Sequence, residues 1–420
     1  MPLPFLAEVL VKGFEKVPGS LTFFKLLAVL SVIYFIKRLS MGATNTSERK
    51  MHSKVIMITG GTSGIGSMVA FDLAQRGAQI VLLTRQSPSD MFIVDFIEDL
   101  RERTGNQLIY AEQVDLSSLY SIRRFATKWI DNAPPRRLDM IILCAATLTP
   151  AGKPRVKTVE GLEETWMVNY LANFHLLSIL SPAIRAQPPD RDVRIIFATC
   201  SSYLRSPPIV NVDEAATNVK EWSSSKAYAR SKLALMTFGH AFQKHLDSYK
   251  RPDGMPMNAR VIFADPGYSR TPGMRRWLTR GTLWGLAIYL ALWQNIWLLL
   301  KSAEGGAQSI LYATMEATLG RGSEVKLIKE CQEMVIGRAD VKDEVVAKKL
   351  WEGSEKLIER VEREEAVRRA LEKKEREAAE KKEGKSTEKT NGKAEAAGDT
   401  SKENKDKPSR KGRKANKGGK

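Results

Sequence analysis

The chain has 420 residues, 43% of them hydrophobic, and a formal net charge of +18. That apolar share supports the core of one large or two ordinary domains and excludes a chain disordered throughout. Cys144, Cys200 and Cys331 are far apart and the four histidines are scattered, so neither a disulfide framework nor a metal centre is expected, and the folded part should face a reducing phase.

Residues 1–50 are expected to form a membrane anchor and linker. Leu21 to Ile36 read LTFFKLLAVLSVIYFI, interrupted only by Lys25 and followed by Lys37 and Arg38. A spanning helix takes about 20 apolar residues. With Val17 to Ser20 the run therefore spans with Lys25 snorkelling, or lies in one leaflet; a buried amphipathic helix is the alternative. Lys37, Arg38, Arg49, Lys50 and Lys54 outnumber Lys12 and Lys16 on the other side, which leaves the following domain in the cytosol.

Residues 51–357 are expected to form the main domain, and within it residues 54 to about 270 alternate short β-branched runs with longer helical patterns. The runs are VIMI at 55–58, IVLL at 80–83, LIYAEQV at 108–114, MIIL at 140–143, RIIFA at 194–198 and RVIFA at 260–264. Near-continuous apolar runs suit parallel strands buried on both faces, and the intervals hold crossover helices. The predicted fold class is α/β, a Rossmann-type doubly wound parallel sheet.

Directly after the first strand stands TGGTSGIG at 59–66, opening into helical spacing at Met68, Val69, Leu73 and Ala74. Glycines at 60, 64 and 66 fit a tight turn, close approach to a pyrophosphate and close helix packing. Gly60, Thr62, Ser63, Gly64, Ile65 and Gly66 are therefore assigned to a dinucleotide. The second strand ends in Thr84-Arg85, where an NAD site carries an acid. A guanidinium there suits a 2′-phosphate, so the expected cofactor is NADP(H); an arginine merely solvated at the strand end is the alternative. Asp115 and Leu116 follow the third strand at the adenine edge, unless Asp115 belongs to a helix start capped by Ser117.

The fifth strand runs into Thr199-Cys200-Ser201-Ser202, at the sheet edge where ligands bind. Ser201 or Ser202 can hold a substrate oxygen there. Further on, Tyr228 and Lys232 are four apart on one helical face, where the ammonium can lower the phenol's pKa and the phenol can exchange a proton with a carbonyl oxygen. Asn169, in the apolar stretch WMVNYLANFHLL, needs partners if buried. It either braces the site or is an ordinary core asparagine.

With these residues the chain resembles the short-chain dehydrogenase/reductase family, in its retinol-dehydrogenase-like and WW-domain-oxidoreductase-like branch. The resemblance covers roughly Lys54 to Leu357: TGGTSGIG matches the cofactor turn, Tyr228 and Lys232 the YxxxK pair, Asn169 the relay asparagine. Pro266-Gly267-Tyr268-Ser269-Arg270-Thr271 is similar to the PGxxxT loop, which implies that Pro266, Gly267 and Thr271 meet the nicotinamide. LWEGSE at 350–355 resembles the last helix of that branch. Two positions depart from the pattern. Leu143-Cys144-Ala145-Ala146 replaces Asn-Asn-Ala-Gly, and Cys200 falls where the catalytic serine is expected, with Ser201 one residue late. A one-residue shift at the strand end would restore the serine, and on that reading the catalytic set is Asn169, Ser201, Tyr228 and Lys232.

Between Thr282 and Leu300 a second apolar stretch carries Trp284, Trp293 and Trp297, and its extent, 277–300, is expected to line the substrate site and touch the membrane. The expected reaction interconverts a lipophilic carbonyl compound and its alcohol, a retinoid, steroid or fatty aldehyde being the class. The rival is a membrane scaffold that keeps the fold without turnover. Residues 358–383 read as a charged helix and 384–420 as a disordered lysine-rich tail. No aromatics interleave the tail, so specific nucleic-acid binding is not expected. The expected partners are the substrate and a membrane, that of the endoplasmic reticulum or a lipid droplet, and a homo-oligomer is admitted.

Overall fold

The computed structural model describes residues 20–217, 222–320, 322 and 324–396. Lys12, Lys16 and Val17 of the expected anchor, and the tail from residue 397, lie outside the described residues. The chain divides into two units, Met1–Glu362 and Arg363–Lys420.

The first unit opens with helix α1, Ser20–Met41. Strands and helices then alternate: β1 Val55–Thr59, α2 Gly64–Gln75, β2 Gln79–Thr84, α3 Met91–Thr104, β3 Ile109–Gln113, α4 Leu119–Ile130 and β4 Met140–Leu143. Next come α5, Glu164–Arg185, with a π-helical turn at Met167–Leu171, and β5, Val193–Ala198. The remainder is α6 Val212–Thr217, α7 Ser224–Asp247, β6 Ala259–Asp265, α8 Pro272–Leu278, α9 Leu283–Ala291, α10 Trp293–Leu299, α11 Ala303–Met315, β7 Lys326–Lys329, β8 Gln332–Met334 and α12 Glu344–Ala396.

The strands form one sheet in the order β3-β2-β1-β4-β5-β6-β7-β8, parallel except for the final β7–β8 pair. β1, β4 and β5 are buried at every residue, as strands covered by helices on both faces must be. Period-two alternation sorts their side chains into two cores. Met57, Leu83, Ile141, Phe197 and Phe263 face α4, α5 and α7; Ile58, Leu82, Ile142, Ile196 and Ile262 face α2, α3 and α11. The doubly wound architecture expected from the apolar runs is therefore the observed one. It has two further strands, β7 and β8, that hydropathy did not indicate.

Helix ends follow local chemistry. Asp90 caps α3 by accepting from Phe92 N, and Gly105 ends it in the left-handed region at φ 67°. Ser118, not Ser117, caps α4, accepting from Ser121 N, while Asp115 Oδ1 accepts from Ser117 N and Oγ. The cap therefore sits one residue later than the sequence suggested, because Asp115 and Ser117 close a local turn first.

α5 is the one described helix long and apolar enough to cross a membrane, yet 72% of its most apolar window is buried, which makes it a core helix. Segment 350–355 packs on the same core: Trp351 meets Phe174 edge-on at 5.3 Å and Ser354 Oγ lies 2.7 Å from Tyr170 Oη. In the second unit the helix runs on to Ala396, past residue 384 where the disordered tail was expected to begin.

Candidate active site

β1 and β4 are neighbours although β2 and β3 come between them in sequence, so the sheet reverses its winding at their carboxyl ends. A crevice at such a switch point is where ligands bind in open α/β sheets. The glycine turn stands there. Gly60 and Gly64 hold φ of 66° and 59°, values that favour glycine. A Cβ on Gly66 would lie 2.2 Å from the Gly60 carbonyl oxygen, and one on Gly60 would lie 2.8 Å from Ala145 Cα. Backbone approach without side chains, at the N-terminus of the twelve-residue α2, is the cradle a pyrophosphate requires. Ser63 N-caps α2 without bonding it through its hydroxyl.

Thr271 comes against this cradle from the loop after β6. A Cβ on Gly64 would meet the Thr271 side chain at 3.3 Å, and the Thr271 hydroxyl accepts from Met274 N to cap α8. Pro266, Gly267 and Thr271 thus stand at the carboxyl edge with Gly60, Thr62, Ser63, Gly64 and Ile65. Arg85 lies exposed just beyond β2, and Asp115 and Leu116 just beyond β3. Where the family's Asn-Asn-Ala-Gly is replaced, Ala145 N donates to Thr59 Oγ1 at 3.2 Å, which joins the ends of β4 and β1. The adjacent Cys144 thiol is pushed up to about 12 by burial, against the opposing pull of Lys232.

Asn169 occupies the π-helical turn of α5 and is fully buried. Its amide is saturated, as burial demands: Oδ1 accepts from Thr147 N at 2.7 Å, and Nδ2 donates to Thr147 O and to Ser231 Oγ, both at 3.0 Å. It ties the loop after β4 to α7 one residue before Lys232. Such π-turns recur at functional sites.

Tyr228 and Lys232 lie on α7, which Ser223 caps by accepting from Lys226 N. Lys232 Nζ is buried and donates to Ala198 O at the end of β5, 2.9 Å away, and lies 5.7 Å from the Tyr228 ring centroid. Burial lowers the Lys232 pKa, with Cys200, Cys144 and Asp265 opposing. The Tyr228 phenol is raised well above its ordinary value, by burial first and then by Cys200 and Asp265. The sequence suggested an ammonium lowering the phenol. In the structure desolvation dominates, and the phenol is held neutral.

Past β5 the chain stays extended through Cys200, at φ −162° and ψ 159°, and then enters a 3-10 turn at Ser201–Arg205. Cys200 and Ser202 share one side, with Sγ and Oγ 2.8 Å apart, and Cys200 Sγ donates to the Tyr228 phenol at 3.8 Å. Ser201 takes the other side. Its hydroxyl donates to Asp265 Oδ2 at 2.6 Å and accepts from Lys329 Nζ at 2.9 Å, and the Lys329 ammonium lies 3.5 Å from that carboxylate. The expected catalytic serine is thus engaged away from the phenol, and Cys200 is the neighbour. Asp265 and Lys329 were missed from sequence. Asp265 carried a signal, an acid directly before Pro266-Gly267, whereas Lys329 ends a strand too short and polar to detect.

A family model described as short chain dehydrogenase matches residues 54–280. The chain is 43% identical over 366 residues to the uncharacterized oxidoreductase pbr1 of Schizosaccharomyces pombe, covering 87% of this chain and 97% of that protein. It is 28% identical over 330 residues to human retinol dehydrogenase 13, covering 79% and 92%. A solved structure of an uncharacterized protein from Mycobacterium paratuberculosis, 24% identical, superposes with a TM-score of 0.54 over 76% of this chain and 98% of that one, a likeness of fold. With a glycine cradle at the switch point and the Tyr228–Lys232 pair beneath it, the chain belongs to the short-chain dehydrogenase family, NAD(P)-binding oxidoreductases that act on CH–OH groups.

Proposed function

We propose that this protein is an NADP(H)-dependent, membrane-tethered enzyme that interconverts a lipophilic carbonyl compound of the retinoid, sterol or fatty aldehyde class and its alcohol. The observation that carries the reading is Tyr228, a phenol kept protonated by burial beside Cys200 at the carboxyl edge of the sheet. When bound in the glycine cradle, the dinucleotide supplies the hydride. Tyr228 gives its proton to the carbonyl oxygen as carbon is reduced, and takes it back from the hydroxyl in the reverse direction. Lys232, fixed by Ala198 O, holds positive charge beneath the phenol, and Asn169 braces α7 one residue from that lysine.

Cys200 can polarise the substrate oxygen from the same side as Ser202, although a thiol is a weaker donor than a hydroxyl. Arg85, exposed at the end of β2, supports the 2′-phosphate preference. The named activity of retinol dehydrogenase 13 and the apolar segment after Thr271 support a greasy substrate. α1, with Leu26, Val29, Val32, Tyr34 and Phe35 all more than half exposed, supports the tether. The positive residues that follow it suit a cytosol-facing domain on the endoplasmic reticulum or a lipid droplet.

One observation favours a second reading, a scaffold without turnover: Ser201 is engaged by Asp265 and Lys329 rather than by the phenol. A panel of lipophilic aldehydes and ketones, followed by NADPH absorbance in detergent, separates the two. Reduction that disappears in Tyr228→Phe while NADPH binding persists supports the enzyme. NADPH binding with no turnover across the panel supports the scaffold.

A further inference from the structure

The segment between Arg270 and Leu300 leaves the active-site loop and returns to it. Its two ends are joined, since Arg270 N donates to Lys301 O at 2.8 Å and Lys301 N to Tyr268 O at 3.1 Å. Between them α8, α9 and α10 turn their apolar side chains outward. Leu283, Trp284, Ile288, Leu290 and Leu299 are each 58% exposed or more. Only Tyr289 of α9 is buried, and α10 buries nothing. A contiguous outward face of this kind marks an interaction surface.

α1 joins this surface. Lys37 Nζ donates to Trp297 O at 2.6 Å and sits 4.6 Å from the centroid of that indole, and Ser40 Oγ donates to Leu298 O at 2.6 Å. Residues three apart on one face of α1 thus satisfy carbonyls at the C-terminal end of α10, where a helix leaves them unpaired and favours positive charge. The rest of α1 displays its own apolar residues, from Leu26 to Met41.

Charge identifies the occupant. Neither Ser20 to Ser47 nor Pro266 to Ser302 contains an aspartate or a glutamate. The cations Arg38, Arg275, Arg276 and Arg280 are exposed beside the apolar faces. Glu330, from beyond both segments, is held by Lys301 and Ala43 N at their junction; aromatic side chains at the boundary of an apolar face, with cations and no acids within the two segments, are the chemistry of a lipid interface with anionic headgroups.

We infer that α1 and the α8–α10 excursion enter the lipid as one platform, seating the active-site mouth on an anionic bilayer surface so that substrate reaches the site from the hydrocarbon phase. The inference rests on the reductase reading only for what passes through the mouth. Because Thr271 begins the excursion and packs against the glycine cradle, the platform and the cofactor site share a wall.

The test uses the full chain reconstituted in vesicles and a water-soluble maleimide-polyethylene glycol reagent. Cysteines are introduced by Leu283→Cys and Leu290→Cys on the platform, and by Glu102→Cys on exposed α3 at the opposite edge of the sheet. Both platform cysteines should be shielded in intact vesicles and labelled after detergent, whereas Glu102→Cys labels in both. Shielding should be stronger with phosphatidylserine than with phosphatidylcholine alone. Arg275→Glu with Arg276→Glu should remove that difference, since each cation near an anionic surface contributes about a fivefold gain in association.

Labelling of Leu283→Cys in intact vesicles as fast as Glu102→Cys overturns the platform. Shielding that persists in detergent and rises with protein concentration overturns it in favour of a second copy of the chain. NADPH binding, measured on the same preparations, keeps the readings apart. Exposed platform cysteines with intact binding defeat the platform alone, and shielded cysteines without binding defeat the reductase reading alone.

Discussion

On the proposed mechanism Cys200 stands where the substrate oxygen is polarised, and replacing it in both directions tests that role. Cys200→Ser puts a hydroxyl where the thiol now donates to the Tyr228 phenol at 3.8 Å. A neutral hydrogen bond is worth about 1 kcal/mol net, and a thiol gives less, so the gain of roughly 0.5–1 kcal/mol should raise kcat/KM about two- to fivefold. Cys200→Ala removes the donor and leaves a buried phenol without it. At about 1–3 kcal/mol, that change should lower kcat/KM roughly five- to hundredfold. The pH dependence of alcohol oxidation is read in the same variants, because after burial Cys200 is the neighbour that most perturbs the Tyr228 phenol. The assay is stopped-flow NADPH consumption with the best carbonyl from the panel, alongside the NADPH dissociation constant and the melting midpoint. Wild-type kcat/KM and pH profile in both variants would refute a role for the thiol, and if Ser202→Ala were then inactive the hydroxyl beside it would be the donor.

Other residues give independent checks. Because burial raises the Tyr228 phenol, reduction should be nearly flat between about pH 6 and 9, and oxidation should climb with pH across that range; Tyr228→Phe abolishes both, as direct rate measurement would show. Arg85→Asp should weaken NADPH about ten- to hundredfold relative to NADH, the worth of one charge-assisted hydrogen bond, and an unchanged ratio of dissociation constants would put the guanidinium in solvent. Glu362 is held down to about 2, against the opposing effect of burial, by bonds from His175 and Arg123. Its folded pKa is depressed, so its contribution to stability is full above about pH 4.5 and is lost as pH falls toward 2; Glu362→Gln should cost roughly 1–2 kcal/mol at pH 7 after solvent screening and nothing near pH 2, read from unfolding midpoints.

The fold was legible because its strands are buried on both faces. Six apolar runs place β1 to β6 to within two residues, since a central parallel strand has no polar side to blur the pattern. β7 and β8 were not legible for the opposite reason. Lys326–Lys329 buries only its two central residues and the edge strand Gln332–Met334 none, so short strands with lysine and glutamate at that end of the sheet read as loop. The glycine turn was legible in detail, because steric exclusion at Gly60 and Gly66 leaves glycine as the fitting residue. The Tyr228 pKa was not, since pairwise charge can be read from a spacing of four but desolvation depends on everything packed around the phenol.

The serine question shows where sequence spacing stops and backbone geometry decides. A shift of one residue at the end of β5 was the way to restore a hydroxyl beside Tyr228, but the chain leaves the extended conformation after Cys200 for a 3-10 turn at Ser201–Arg205, which rotates each successive side chain by about 120°. Cys200 faces the phenol, Ser201 is turned to Asp265 and Lys329, and the Ser202 hydroxyl comes back against Cys200 Sγ. Ser201 is also fixed where it is by two charged partners. Drawing it across would strand the Asp265 carboxylate, which is 3% exposed, with Lys329 and Gly267 N as its remaining partners, at a cost of about 1–3 kcal/mol that one neutral hydrogen bond to the phenol does not recover. The alternation that buries Phe197 and Ala198 in opposite cores carries through Cys200 and ends there, which leaves the thiol, not the Ser201 hydroxyl, beside the Tyr228 phenol.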